Sequence, residues 1–257
     1  MTAAPAVVEW AYAKVNLVLR VGPPRPDGVH PLCSLFAALD LADEVRVTPL
    51  DGGGDDLVVC PGVQGGNLAA AAAAAFRSAV PDAALPALRI EIDKRIPVAA
   101  GLAGGSADAA AVLRAANAIA GSPLSPDELR GVAAGLGSDV PSQIEPAHAI
   151  VAGVGERVER VDLPPMTLVL VPRDEGLATA AVYAELDRLR AAAPTPAVGG
   201  ADDPARLSDW LNPAPLRDLA SGSLARLAAG VANDLEPAAL ALRPELAEPL
   251  AALSDAG

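Results

Sequence analysis

Aromatic side chains are scarce in this 257-residue chain: two Trp, two Tyr and two Phe, 2% of the sequence. Its core must therefore be built from Ala, Val, Leu and Ile, and a hydrophobic content of 52% suffices for one large domain or two smaller ones. Cysteine is almost absent as well. Cys33 and Cys60 are the only two, which excludes a disulfide framework or a cysteine-built metal cluster and makes the reducing cytoplasm the default compartment. No apolar stretch approaches the roughly 20 uncharged residues of a membrane span. The opening MTAAPAVVEW also lacks a basic segment followed by an apolar one, so the chain is expected to be neither secreted nor membrane-inserted. Positive charge is in deficit, with 19 Lys and Arg against 32 Asp and Glu and a net charge of -13. That excludes the dense cationic face required by nucleic acids and anionic membranes. Small molecules are the expected partners, and a monomer or weak homodimer the expected state. An acidic protein that binds a phosphate ester has to assemble its anion site locally, from backbone N–H groups, a helix N-terminus and a few placed cations.

What is present reads as α+β. VVEWAYAKVNLVLRV, residues 7–21, is an extended segment ended by the breaker cluster GPPRPDG. DEVRVTPL and DDLVVC predict two further strands around a Gly-rich turn. Asn67 caps an Ala-rich helix, and ALRIEID is another alternating strand. Pro97 stops that strand, a small-residue loop follows, and Ser106 is expected to begin a helix reaching about Ile119. SPDELRGVAAGLG carries a capping box, with Ser125 as cap, Pro126 in the first turn and Glu128 three residues on. HAIVAGVGERVERV returns to strand. A second block opens near Pro164 with the expected strand MTLVLVP and the helix ATAAVYAELDRLRAA. The Pro/Gly/Asp-rich segment at residues 193–205 is expected to be an exposed loop, and later segments are helical.

The sharpest chemical signal is the run Pro97, Val98, Ala99, Ala100, Gly101, Leu102, Ala103, Gly104, Gly105, Ser106, Ala107, Asp108, placed between a strand and a helix. Consecutive small residues let backbone N–H groups converge on phosphate oxygens, and the helix that follows adds its positive end. Neither a P-loop Gly-Lys-Ser/Thr nor a GxGxxG fingerprint is present. By composition alone the same run also suits tight packing. Lysine occurs only at positions 14 and 94, bracketing this loop in a chain whose other basic residues are arginine, apart from two histidines. Asp139, within Gly-Ser-Asp-Val-Pro, reads alone as a turn residue.

Taken together, AYAKVNLVL, DGVH, PVAAGLAGGSADAA and LGSDVP resemble, in order and spacing, the motifs of the GHMP kinase superfamily. DGVH at 27–30 and LGSDVP at 136–141 narrow the resemblance to its diphosphocytidyl-methylerythritol kinases. The resemblance implies a two-domain fold, with a ribosomal S5 domain 2-like ATP-binding domain over 1–160 and an incomplete ferredoxin-like domain over 161–257. It implies ATP and Mg2+, with Ser106 a candidate for the Mg2+ shell, and phosphorylation of the substrate's 2-hydroxyl. Lys14 and Asp139 match the catalytic pair: the carboxylate accepts the hydroxyl proton, and a neighbouring ammonium favours its charged form. Asn16 matches a contact to the methylerythritol portion, His30 and Tyr183 to the cytosine, and Thr179 to a polar contact nearby. Val29 stands where the family commonly has an aromatic residue. Ala99, Ala100 and Ala103 replace loop glycines, so negative φ is expected there. Other GHMP kinases, acting on mevalonate, homoserine or a sugar, and a non-catalytic nucleotide-binding module are the alternative readings. The superfamily's third, Gly-rich motif near the C-terminus has no counterpart, and the expectation is a truncated, poorly active, aggregation-prone product.

Overall fold

Val, Ile and Leu concentrate in a few segments of this chain, and those segments assemble into one sheet. The computed structural model describes residues 5–51, 53–63, 67–83, 85–173, 175–192 and 204–255. Strand β1 (Val7–Val21) runs antiparallel to β2 (Leu32–Pro49). The second half of β2 pairs with β4 (Leu88–Asp93), which carries β3 (Leu57–Val59) in parallel. Its first half pairs with β5 (Ala149–Gly153), which forms a hairpin with β6 (Arg157–Arg160). On the far edge of β1 lies β7 (Ala232–Asn233).

The two halves of this sheet are covered differently. Around Val45, Val47, Leu88, Ile90 and Ile92, one face is buried beneath α1 (Leu68–Ala79) and α2 (Gly104–Ile119), with α3 (Pro126–Ala134) alongside. Helix α1 buries Ala69, Ala72, Ala73 and Phe76, an i, i+3, i+4, i+7 stripe, and α2 buries alanines almost all round. The opposite face there stays open, with Val8, Trp10 and Tyr12 exposed. At the other half both faces are covered. Cys33, Leu35 and Ala37 pack against α6 (Ala214–Ala220) and α7 (Leu224–Ala229). Leu32 and Phe36 pack against α4 (Thr179–Ala192) and α8 (Glu236–Leu242). Helices α5 (Pro204–Trp210) and α9 (Ala247–Asp255) complete the described elements.

Most local expectations hold. Asn67 caps α1 through Ala69 N–H, and Ser125 and Glu128 close the capping box of α3. Two differ. Helix α2 begins at Gly104 rather than Ser106, behind Ala103 in the left-handed conformation, and the missing side chain of Gly104 leaves room for Ile96 and Lys94 beneath the first turn. MTLVLVP is not a strand: it pairs with no strand among the described residues, and Val169 is 71% exposed. Of the expected loop at 193–205, residues 193–203 lie outside the described ones, and α5 already starts at Pro204. Beyond residue 160 the described chain gives the sheet only β7 and is otherwise helical or irregular, packed directly onto β1 and β2.

Candidate active site

Strand β1 is not regular where it matters most. Its register against β2 slips between Tyr12 and Lys14 and again between Asn16 and Val18. Such irregularities bend a strand and re-aim its side chains, and here they bracket Lys14 and Asn16. Lys14 is buried, its Nζ donating to Asn16 Oδ1 at 2.7 Å, lying 4.3 Å over the Phe36 ring and 3.3 Å from Asp139 Oδ2. Across the bulge, the Ala38 N–H donates to Nδ1 of His148 at 3.1 Å.

Asp139 sits in the turn after α3. Val140, Pro141 and Ser142 behind it are buried, and Ser142 Oγ donates to the Asp139 carbonyl at 2.8 Å. Arg114 of α2 ties the parts together, bonding Glu9, the Trp10 carbonyl and the Gln143 carbonyl. The hairpin turn between β5 and β6 presses on the same turn. Gly155, at φ 107°, lies so close that a Cβ there would stand 2.0 Å from the Ser138 carbonyl oxygen.

The loop of residues 97–106 lines the same cavity as Lys14 and Asp139, and is docked on β1 by Lys14 N–H to the Leu102 carbonyl at 3.1 Å. Ala99 and Ala103 adopt φ of 56° and 57°, against the expected negative values. Packing dictates this: Leu102 is held in a small apolar cluster with Ala13 and Ile96, so the chain must turn sharply on either side. Helix α2 opens with no side-chain cap, leaving first-turn N–H groups facing a concave, small-residue surface suited to an anion. Ala107 does not share this role. It is buried in the core and its N–H is spent on the Ala103 carbonyl.

Beneath the loop lies a charge cluster that the sequence does not announce. Lys94 Nζ bonds Asp43 Oδ2 at 2.5 Å and Asp108 Oδ2 at 2.8 Å. Asp43 also accepts from the backbone of Arg95 and Ile96, whereas Oδ1 of Asp108 is buried without a hydrogen-bond partner among the described residues. One ammonium cannot serve both carboxylates equally. Burial, helped by the Asp43 charge and opposed by Lys94, pushes the Asp108 carboxyl up to about 6. Burial works against the Lys94 charge too, yet its two carboxylate bonds outweigh that and raise it.

The cavity, about 1270 Å³, continues to a second lobe. There His30 of the 22–31 strap meets Tyr183 of α4, ring centroids 5.0 Å apart, while Thr179 and Val29 are exposed at the walls. Burial, with a contribution from Asp139, pushes the Tyr183 hydroxyl up to about 12. The structure therefore gathers every expected site residue except Ala107 around one cavity. It adds Asp187 to the lining, one helical turn beyond Tyr183, gives Asp108 of the small-residue run a buried ionic role, and sets Asp43 and Gly155 behind the cavity wall; the sequence singles out neither Asp43, Gly155 nor Asp187.

Comparison with known proteins gives this architecture its place. The GHMP kinases N-terminal domain family matches residues 67–146, from the cap of α1 through the small-residue loop to just past Asp139, so loop, helix and acidic turn belong to a GHMP kinase. "4-diphosphocytidyl-2-C-methyl-D-erythritol kinase" of Streptomyces coelicolor is 43% identical over 254 residues, covering 95% of this chain and 80% of the relative. The protein of that name from Thermobifida fusca is 41% identical over 270 residues, covering 100% and 83%. A crystal structure of 4-(cytidine 5'-diphospho)-2C-methyl-D-erythritol kinase shares 35% identity and a TM-score of 0.63, covering 94% of this chain and 80% of that one. The chain belongs to the 4-diphosphocytidyl-2-C-methyl-D-erythritol kinase family. Mevalonate pyrophosphate decarboxylase from Streptococcus pyogenes, at 14% identity and a TM-score of 0.58 over 73% of this chain and 61% of its own, shares the fold.

Proposed function

We propose that this chain transfers the γ-phosphoryl group of ATP to the 2-hydroxyl of 4-diphosphocytidyl-2-C-methyl-D-erythritol, a step in isoprenoid precursor synthesis, in the cytoplasm. The observation that carries the reading is the Lys14–Asp139 pair at 3.3 Å, sharing one cavity with the small-residue loop on one side and His30 and Tyr183 on the other. A donor phosphate and an acceptor hydroxyl held at those two places would meet at the pair.

The uncapped first turn of α2 and the N–H groups of residues 104–106 bind and orient the phosphates. Asp139 accepts the hydroxyl proton as the oxygen attacks, and Lys14 steadies the carboxylate and the developing negative charge. Asn16, whose oxygen is engaged by Lys14, offers its amide NH2 to a substrate oxygen. Among the described residues no cluster of three or more His, Cys, Asp or Glu forms a metal cage. This fits a Mg2+ held mainly by phosphates and water, with the Ser106 hydroxyl at hand. When bound, Mg2+ neutralises phosphate charge. Residues 1–160 form the ATP-binding domain in this reading, and residues 161–257 supply Thr179 and Tyr183 to the acceptor lobe.

A coupled ADP-release assay comparing the diphosphocytidyl substrate with mevalonate and homoserine tests the assignment. Preference for the diphosphocytidyl substrate is expected, and preference for either of the others would overturn it.

A further inference from the structure

The open face of the sheet is shared by neighbouring strands, and one of them breaks the pattern of the others. In β2, Glu44, Arg46 and Thr48 alternate with buried Val45 and Val47, and in β4, Arg89, Glu91 and Asp93 alternate with buried Leu88, Ile90 and Ile92. Polar outward and apolar inward is what an antiparallel sheet with one solvated face requires. Strand β1 keeps the inward half of that rule with Ala11 and Ala13, but turns Val8, Trp10 and Tyr12 outward. Register puts all of these on one face: Val8 pairs with Arg46 and Trp10 with Glu44, and these pair in turn with Glu91 and Asp93. Beyond β4, strand β3 adds exposed Leu57 opposite Arg89. Trp10 and Tyr12 are 41% and 37% exposed, two of only six aromatic residues in the chain. A chain short of aromatic rings for its core leaves two of them in water.

The charges beside them are balanced. Arg46 pairs with Glu44 at 3.0 Å, Arg89 with Glu91 at 2.9 Å and Arg95 with Asp93 at 3.1 Å, and the Arg95 guanidinium lies 5.4 Å from the centre of the Trp10 ring. Three arginines thus stand among three carboxylates, on a chain whose net charge is -13. From this pattern we infer that the open face is the surface on which two copies of the chain associate, anchored by Trp10 and Tyr12. A two-fold contact needs a patch that complements itself, and a face on which β2 and β4 each carry both signs does so. Over the rest of the surface two copies repel through their excess negative charge, so a neutral face is where that repulsion is least. A nucleic acid or an anionic membrane would require a positive excess, which this face lacks. Exposed ion pairs contribute little within one molecule and are free to exchange partners across a contact. Trp, Tyr and Arg are also the residue types that carry most of the energy at interfaces. Four strands about 4.8 Å apart, with same-face residues about 7 Å apart along each, span roughly 400 Å², half the ~800 Å² per partner of a standard interface. The dimer is therefore weak, of micromolar order, and depends on concentration.

The test is sedimentation velocity of the whole chain from about 1 to 300 μM, for wild type, Trp10→Ser, Arg46→Glu and Glu91→Arg, each with its melting temperature as a check on folding. Wild type is expected to shift from monomer to dimer across that range. Trp10→Ser should weaken the dimer about tenfold or more, the loss typical of an aromatic anchor. Arg46→Glu leaves the face net negative and Glu91→Arg leaves it net positive, so each alone should associate more weakly than wild type. An equimolar mixture of the two should regain a dimer, because the faces now attract each other. Recovery in the mixture cannot come from misfolded variants. The inference fails if wild type stays monomeric throughout, which would leave the face to solvent or to another protein. It fails also if the variants dimerise like wild type, since the contact then lies elsewhere, or if the mixture does not restore what each charge variant loses.

Discussion

The chain has two lysines, and the fold puts both beside the small-residue loop of residues 97–106 in opposite circumstances. Lys14 meets one carboxylate, Asp139, whose side chain is 29% exposed and open to the cavity. Lys94 is locked between two carboxylates, 0% and 3% exposed, beneath the first turn of α2. Partners decide the difference. An ammonium facing a single accessible carboxylate can exchange that contact for a substrate oxygen, whereas one shared by two buried carboxylates is committed to holding β2, β4 and α2 together. Breaking the first should therefore cost turnover, and disturbing the second should change stability.

The largest effect is expected at the open pair. Asp139→Asn should lower turnover by roughly 10²-fold or more, the loss typical of a positioned general base. Binding of an ATP analogue by calorimetry should change little. Near-full turnover would reduce Asp139 to a turn residue and erase the contrast.

Gly155→Ala sharpens the comparison without touching a charge. Its methyl group would collide with the Ser138 backbone and shift Asp139 away from Lys14. A fall in kcat of about tenfold is expected, since small misplacements at a reacting centre are costly, with KM for ATP nearly unchanged. Unaltered kcat alongside a lowered melting temperature would confine the hairpin turn to a structural role.

For the locked lysine the readout is stability against pH. The Asp108 carboxyl is raised in the folded state to about 6 from its ordinary 3.8. The native state therefore binds a proton that the unfolded chain releases, and stability is lost as pH rises between those two values. Asp108→Asn, which cannot ionise, should melt a few degrees above wild type near neutral pH, and the gap should close below about pH 4. A variant melting lower than wild type at neutral pH would show that the Lys94 bond outweighs the burial cost.

The smallest effect is expected in the loop between the two lysines. An alanine in the left-handed region costs roughly 1–2 kcal/mol, and glycine returns roughly 0.4–1 kcal/mol of that through unfolded-chain entropy. Ala99→Gly should thus stabilise by about 0.5–1 kcal/mol, one to a few degrees in thermal denaturation. No gain would mean that the loop relaxes once free of the cavity wall.

Much of this molecule is written locally in its sequence. The caps Asn67 and Ser125, the alternation of β4 and the run of small residues after Pro97 act within a few positions of where they stand, so they can be read without knowing the fold. The same motifs, by their resemblance to a kinase family, brought Lys14, Asp139, His30 and Tyr183 into one site before any coordinates. Other features depend on what packs against them. The first half of β2 shows no alternation because α4 and α8 cover one face and α6 and α7 the other, so both sets of side chains are apolar. MTLVLVP has the residue types of a strand, but a strand needs a partner backbone, and none among the described residues supplies one. Asp43 and Asp108 lie 51 and 14 residues from Lys94 in the chain, and no spacing rule joins them. Composition and short-range patterning determined which elements form and which residue types carry the chemistry. Tertiary structure alone decided which lysine faces one accessible carboxylate and which is shared by two buried ones, because burial and the number of facing charges belong to the packed molecule and to no segment of it.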